Sequence, residues 1–301
     1  TGGLTARVMA NRFFYLYFGT GISRSLSDFG GQGQPPSNPE LLDRLAVEFH
    51  QSKWNIKHMV RLLTTSRAYR QSSISSAKLR ETDPYNQFVA RQSRFRLPAE
   101  MIRDNALAVS GLLQTTIGGA SVKPSQPAGY YRHLNFPVRK YKQDTDGRVY
   151  RRSLYIHWQR QFLHPMLKAF DAPSREECTA ERPRSNTPVA AMNLLNDPNF
   201  VEAARVLSER ILKEADKNNR ARLNHAYELA LSRGPTEAER KTMDSLLDFA
   251  RKDFTQRPDA AKKLIAIGQT PADTDLDIIE LAAWTSVSRA LLNLSETTTR
   301  N

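Results

Sequence analysis

Residues 170–200 read FDAPSREECTAERPRSNTPVAAMNLLNDPNF, and the reading of the whole chain turns on them. Asp171-Ala172-Pro173 spells a turn, because Pro173 fixes its own φ and pushes Ala172 away from helix. Arg175, Glu176, Glu177, Cys178, Glu181, Arg182 and Arg184 follow. Such mixed signs suit a buried or half-buried ion-pair network, in which the arginine fork holds a carboxylate through two hydrogen bonds. Thr187-Pro188 then opens a helix, with Thr187 as N-cap and Pro188 where a missing N–H costs nothing. Asp197-Pro198 repeats the device and opens a longer helix to about Lys213. An irregular charged loop therefore precedes two helices that meet at a tight corner.

Two readings of that loop stand side by side. In one it is a structural clamp between two helical halves, residues 1–170 and 187–301, of a single domain joined by residues 170–186. In the other it is a binding or catalytic loop that presents Asp171, Arg175, Cys178, Arg182 and Asn186, as long irregular loops on rigid scaffolds often do. A thiol nucleophile needs a histidine or a cationic setting to ionise, and His157 and His164 are the nearest histidines in sequence.

Outward from the loop, most segments carry helical periodicity. Leu4 to Phe18, Pro39 to Gln51, Ile56 to Tyr69 and Pro98 to Leu113 read as helices on the N-terminal side. In the last of these, Glu100, Arg103 and Asp104 read as a solvated face. On the C-terminal side, Ala221 to Ser232 is helical, and Thr236 to Glu239 forms a T-x-x-E capping box for a helix to about Phe254. Ala260 to Ile267 is short, and Asp275 to Leu294 reads as the longest amphipathic helix. SETTTRN, residues 295–301, reads as a frayed tail.

Between the two sides, Gly118 to Phe136 is a loop carrying Tyr130, Tyr131, Arg132 and His133. Aromatics beside cations either pin a loop to the core or offer a ring-shaped ligand stacking and cation–π contact. Asp146-Gly147 is a hairpin signal, predicting a short pairing of Val138–Lys142 with Arg148–Ile156. A helix through His157, Trp158, Phe162 and Met166 should follow, with His157 and His164 two turns apart on one face, too far to share a metal ion. The fold class expected is mainly α, an irregular helical domain of about eight to ten helices with one small β-hairpin.

The chain has 301 residues, 40% hydrophobic and 25% charged, enough for a sizeable core. No apolar run is long enough to cross a membrane. The opening TGGLTARVMANRFF passes directly into an amphipathic helix and reads as cut from a longer protein. One cysteine excludes an internal disulfide and a cysteine-rich metal site, and no C-x-x-C-H run exists for covalent haem. No metal site and no cofactor are expected in this segment. The formal net charge of +13 invites an anionic partner. Scattered arginines without a zinc-finger or RNA-binding signature make nucleic acid the weaker choice beside an acidic protein, a sulfated or carboxylated glycan, or an anionic membrane.

Several long strings resemble one family: TARVMANR, SDFGGQGQPPSNPELLDRLAVEF, LLTTSRAYRQSS, AVSGLLQTTIGG, YRRSLYIHW, FDAPSREECTAERPRSNTP, LLNDPNFVEAAR and AAWTSVSRALLNLSE. They are similar to the C-terminal domain of unknown function (fifteen fifty-three) of planctomycete-type cytochrome c proteins, over about Leu4 to Ser295. The resemblance implies an exported or periplasmic multidomain protein whose upstream domains often include a haem-binding cytochrome c. It also implies a neighbourhood of polysaccharide breakdown, and hence a role in oxidising sugars or passing electrons. It supplies no catalytic residue. Val189-Ala190-Ala191-Met192 departs from the leucine-glutamine-alanine-leucine run of many members, and the tail lacks their acidic-aromatic ending.

The function expected is that of a non-haem module that docks a cytochrome or an acidic glycan. Its site would comprise Tyr130, Arg132, Arg139 and Lys140 with the Asp171–Asn186 loop. The rivals are an enzyme acting on sugars through Asp171 or Cys178, and a nucleic-acid binder.

Overall fold

The computed structural model describes residues 3–134, 137–160 and 162–300, and its helices begin where local capping chemistry places them. Asn38 accepts from Leu41 N, Asn55 from His58 N, Thr187 from Ala190 N, and Asp197 from Asn199 N. Thr236 and Glu239 exchange both bonds of the capping box. Each such cap satisfies a backbone donor that has no partner inside its own helix.

The chain divides into two compact units. The first comprises Thr1–Arg96 with Cys178–Arg182 and Thr299–Asn301, and the second Leu97–Glu177 with Pro183–Thr298. In the first unit, α1 (Gly3–Phe18) packs on α2 (Pro39–Gln51), with α3 (Ile56–Thr64) beside them and α4 (Ala77–Thr82) beyond. Phe13, Phe14, Phe18, Leu42, Leu45, Phe49, Met59 and Leu63 form its core. Phe13 meets Phe49 edge-on at 5.4 Å, the geometry the ring quadrupoles favour. Asn11 is fully buried and bonds both N–H and C=O of Ser23, fixing the chain as it leaves α1.

In the second unit, α8 (Pro198–Glu214) and α12 (Ile278–Leu292) are the central pair. Alanines 203, 204, 282 and 283 let the two approach, and Ser208 bonds Ser288 across the contact at 2.8 Å. Around them lie α5 (Ala99–Ser110), α6 (Pro165–Ala169), α7 (Pro188–Asn196), α9 (Asn219–Leu231), α10 (Glu237–Gln256), α11 (Pro258–Ile265) and α13 (Ser295–Thr298). Trp284, Phe200, Tyr227, Leu207 and Ile211 fill the core.

The fold is therefore mainly α with one small antiparallel strand pair, as the periodicity predicts. Thirteen α-helices stand among the described residues, more than the eight to ten expected, because α4, α6 and α13 are too short to leave a periodic signature. The longest helix is α10, with 20 residues, and α12 has 15.

Other expectations are corrected. The strand pair is not at 138–156 but joins β1 (Phe95–Arg96) to β2 (Thr299–Arg300). Asp146 spends its carboxylate on Arg148 N and opens a 3-10 turn instead of a hairpin. The flanks find distant partners, Gln114 with Arg151 and Val122 with Ile156. No helix runs through His157, which is extended and donates its backbone N–H to Val122 O. Helix α6 starts only at Pro165, whose ring holds His164 out of helical geometry. The tail is not frayed as far as it is described. Thr297 is buried, its hydroxyl donating to the Leu292 and Leu294 carbonyls, and Arg300 lies 4.2 Å over the Tyr69 ring and donates to Tyr17 O.

Arg103 is not on a solvated face. It is 1% exposed and donates to Val149 O, Arg151 O and Ser153 Oγ. Among the described residues the irregular 111–164 segment is joined by isolated bridges, and some of its carbonyls draw a donor from α5. Arg151 repeats the role, donating to Thr116, Gly118 and Ala120 carbonyls while stacking 3.8 Å over Tyr155.

Cys178 is exposed and is not the centre of a buried cluster. Arg175, Glu176, Glu177, Cys178 and Glu181 are all exposed, and Arg182 and Arg184 are half-buried. At the base of the loop the Asp171 carboxylate takes Ser185 N and Oγ at 2.8 Å. Desolvating so many charges would cost more than their mutual attraction returns.

Candidate functional site

The second unit gathers an aromatic and basic face from two limbs that are far apart in sequence. Val122 N donates to Tyr155 O and His157 N to Val122 O, each at 2.8 Å, which zips residues 122–124 to 155–157. Lys123 N donates to the Asp144 carboxylate at 2.9 Å, and Tyr141 donates its hydroxyl to Pro124 O. These bonds seat the loop that carries Arg139, Lys140 and Tyr141.

Tyr131 stands edge-on to Tyr141 at 5.4 Å and to Phe162 at 5.9 Å. Tyr130 packs beside Tyr131 and donates to Leu163 O. Burial raises the hydroxyl pKa of all three tyrosines, so they stay neutral donors at pH 7. Arg139 is exposed and donates to Gln159 Oε1 at 3.0 Å. His157 is half-buried beside it. Burial lowers its pKa first, and the positive charges of Lys123 and Arg139 lower it further. Next to it, Arg175 lies 3.7 Å over the Trp158 ring, whose Nε1 donates to Ser174 O.

A cleft of about 530 Å³ opens at Ser125–Pro127, walled on its far side by Val189, Met192 and Asn196 of α7. Gln126 Oε1 is buried there without a hydrogen-bond partner among the described residues. Residues 118–160 carry nine lysines and arginines against Asp144 and Asp146. Arg151 is absorbed in holding the loops, and the rest supply the surface charge.

Of the residues singled out in the sequence, Tyr130 and Arg139 lie on this face, and Arg175 is drawn to it through Trp158. Lys140 is exposed on the same loop as Arg139. Arg132 is exposed and donates to His133 Nε2 at 2.9 Å. The end of the expected loop, Asn135-Phe136, lies outside the described residues. Asp171 is committed to Ser185, and Asn186 is exposed before α7. Cys178 and Arg182 group with the first unit. Lys123, Tyr141, His157, Trp158, Gln159 and Phe162 were not foreseen as site residues. Their only local signal is the His157-Trp158 pair, because a long-range pairing brings the rest together.

His164 underlies the face. It is 3% exposed, and its Nε2 donates to Ser125 O at 2.9 Å. Burial lowers its pKa to about 4, Ser125 pulls partly back, and the charge of Arg103 adds to the lowering. In the unfolded chain the ring titrates near 6.5. Between pH 6.5 and 4 the unfolded chain binds more protons, so stability falls as pH drops through that window, by about 3 kcal/mol. We expect urea unfolding at pH 7 and pH 4.5 to show this loss, and His164→Gln to flatten it.

Among the described residues, no group of three His, Cys, Asp or Glu is placed to hold a metal ion. No described helix is long and apolar enough to cross a membrane. The family model of PSD1, a protein of unknown function (DUF1553), matches residues 2–247. No curated protein and no solved structure matches the chain.

Proposed function

The chain belongs to the PSD1 (DUF1553) family, and from that premise we propose that it is a docking module for an acidic glycan, carboxylated or sulfated. In this reading it is the non-haem part of an exported, multidomain cytochrome c-type protein. The observation that carries the proposal is the company His157 keeps, with Lys123, Arg139 and Gln159 around it and the half-buried rings of Tyr141 and Trp158 on the same limbs. Cations attract carboxylate or sulfate groups, and aromatic faces take the flat side of a sugar ring. The adjoining cleft supplies amides for hydroxyl groups. A protein redox partner would be met by the charge alone, so the aromatics favour the glycan.

Binding of polygalacturonate, a heparin-type sulfated oligosaccharide and neutral dextran tests this. The acidic chains should bind and dextran should not. Arg139→Ser and Lys123→Ser should each weaken binding about fivefold at low ionic strength, with the difference fading as salt screens it. Equal affinity for dextran, or unchanged affinity in both variants, would remove the glycan reading. A gel shift with nucleic acid at physiological salt, and no glycan binding, would replace it.

A further inference from the structure

A different surface, in the first unit, carries three large apolar side chains directly into water. Ile74 is 78% exposed, Tyr85 68% and Phe88 80%. They sit on two limbs of chain that are bonded side by side. Gln71 Nε2 donates to Val89 O at 2.9 Å, Gln92 Nε2 to Tyr69 O, and Arg94 Nε to Ser73 Oγ at 3.1 Å.

The turn that presents Phe88 is tightly built. The buried Asp83 carboxylate takes Gln87 N at 2.8 Å and Phe88 N at 3.1 Å. The Asn86 side chain bonds the backbone of Arg91 in both directions. Val89 is held at φ +50°, a conformation a β-branched residue adopts only when its surroundings force it. The fold thus accepts strain at Val89 and still leaves Phe88 in solvent.

Charge surrounds these tips. Arg70, Lys78, Arg80 and Arg94 are exposed on the same limbs, and Arg24 lies 4.9 Å over the Tyr85 ring. Only Glu81 opposes them among the exposed acids between residues 70 and 94, since Asp83 is buried. Serines 72, 73, 75 and 76 flank Ile74, and Asn86 and Gln87 stand between Tyr85 and Phe88 in sequence. Isolated apolar knobs among cations match a boundary that is hydrocarbon beneath and anionic on top.

We propose that Ile74, Tyr85 and Phe88 are the tips of a shallow insertion loop with which the first unit seats on an anionic lipid surface. The surrounding arginines and lysine supply the attraction to the headgroups, their stems lying along the boundary and their charges remaining in water.

Partition of the whole chain between buffer and vesicles tests the proposal, using phosphatidylcholine alone and phosphatidylcholine mixed with phosphatidylglycerol. The mixed vesicles should take up the protein and the neutral ones should not. Combining Ile74→Ser with Phe88→Ser should lower uptake about tenfold, with the melting temperature unchanged because both side chains lie in solvent. Phe88→Trp should gain emission that brominated acyl chains quench beyond the level seen for the parent protein. Absence of uptake by the mixed vesicles, equal uptake by neutral ones, or full uptake of the double variant would overturn the proposal. So would emission of Phe88→Trp quenched no more than the parent's, which is what adsorption by charge alone, or a soluble anionic partner, would give.

Discussion

Glu202→Ala should destabilise the second unit by about 4 kcal/mol, the cost of leaving several buried donors without an acceptor. Glu202 lies buried on α8, and its Oε1 takes Tyr150 OH at 2.6 Å, Gln269 N at 2.7 Å and Thr270 N at 2.8 Å. The strap of residues 268–271 is tied again by Arg205, which donates to Thr270 O and Pro271 O. Burial and the Glu202 carboxylate push the Tyr150 hydroxyl pKa up to about 12, so it remains a donor at any ordinary pH. Gly268→Ala should be comparably harmful. Gly268 holds φ +114°, and a Cβ there would meet Glu202 Cδ at 2.3 Å. Urea unfolding read through Trp158 and Trp284, in a Trp54→Phe background, checks both. A loss below about 1 kcal/mol would mean that Glu202 is not the tie that holds this strap.

Arg103→Met should cost a similar amount, about 3–5 kcal/mol, because it leaves three buried acceptors without the charged donor that satisfies them. Burial lowers the Arg103 pKa to about 10, against the raising influence of Asp104 first, then of Asp197 and Glu202, so the guanidinium is still charged at pH 7. Methionine keeps the length of the side chain but returns no donors to Val149 O, Arg151 O and Ser153 Oγ. Arg103→Lys should recover only part of the loss, since an ammonium cannot span three acceptors in a plane. The loss should also reach the candidate site, because Arg103 holds the 149–153 limb that leads into His157 and Trp158. Weaker glycan binding in Arg103→Lys at a temperature where it is folded would show that link.

The helical frame was legible because its signals are local. Asn38, Asn55, Thr187, Asp197 and Thr236 each bond a backbone N–H two or three residues on, so the sequence spells out both partners. The segment between α5 and α6 was not legible for the opposite reason. Its bridges join residue 114 to 151 and 122 to 156, and its carbonyls are satisfied by arginines up to 48 positions away. Asp146-Gly147 was ambiguous on physical grounds, since a hairpin turn and an aspartate-capped 3-10 turn ask for the same residues. The site inherits that pattern. Tyr130 and Arg139 could be named because aromatics beside cations attract notice, whereas Lys123, Gln159 and Tyr141 matter only through their neighbours in space. The charged loop misled because density of charge in sequence says nothing about burial, and the tie from Asp171 to Ser185 spans its ends.

Hydrogen–deuterium exchange of the whole chain, with and without a saturating acidic oligosaccharide, tests the central claim most directly. The account predicts protection at residues 129–134, 137–142 and 157–160, where the tyrosines, Arg139, His157 and Trp158 meet, and none when dextran replaces the acidic chain. Bound oligosaccharide that leaves those peptides unprotected, or protects only others, would contradict it.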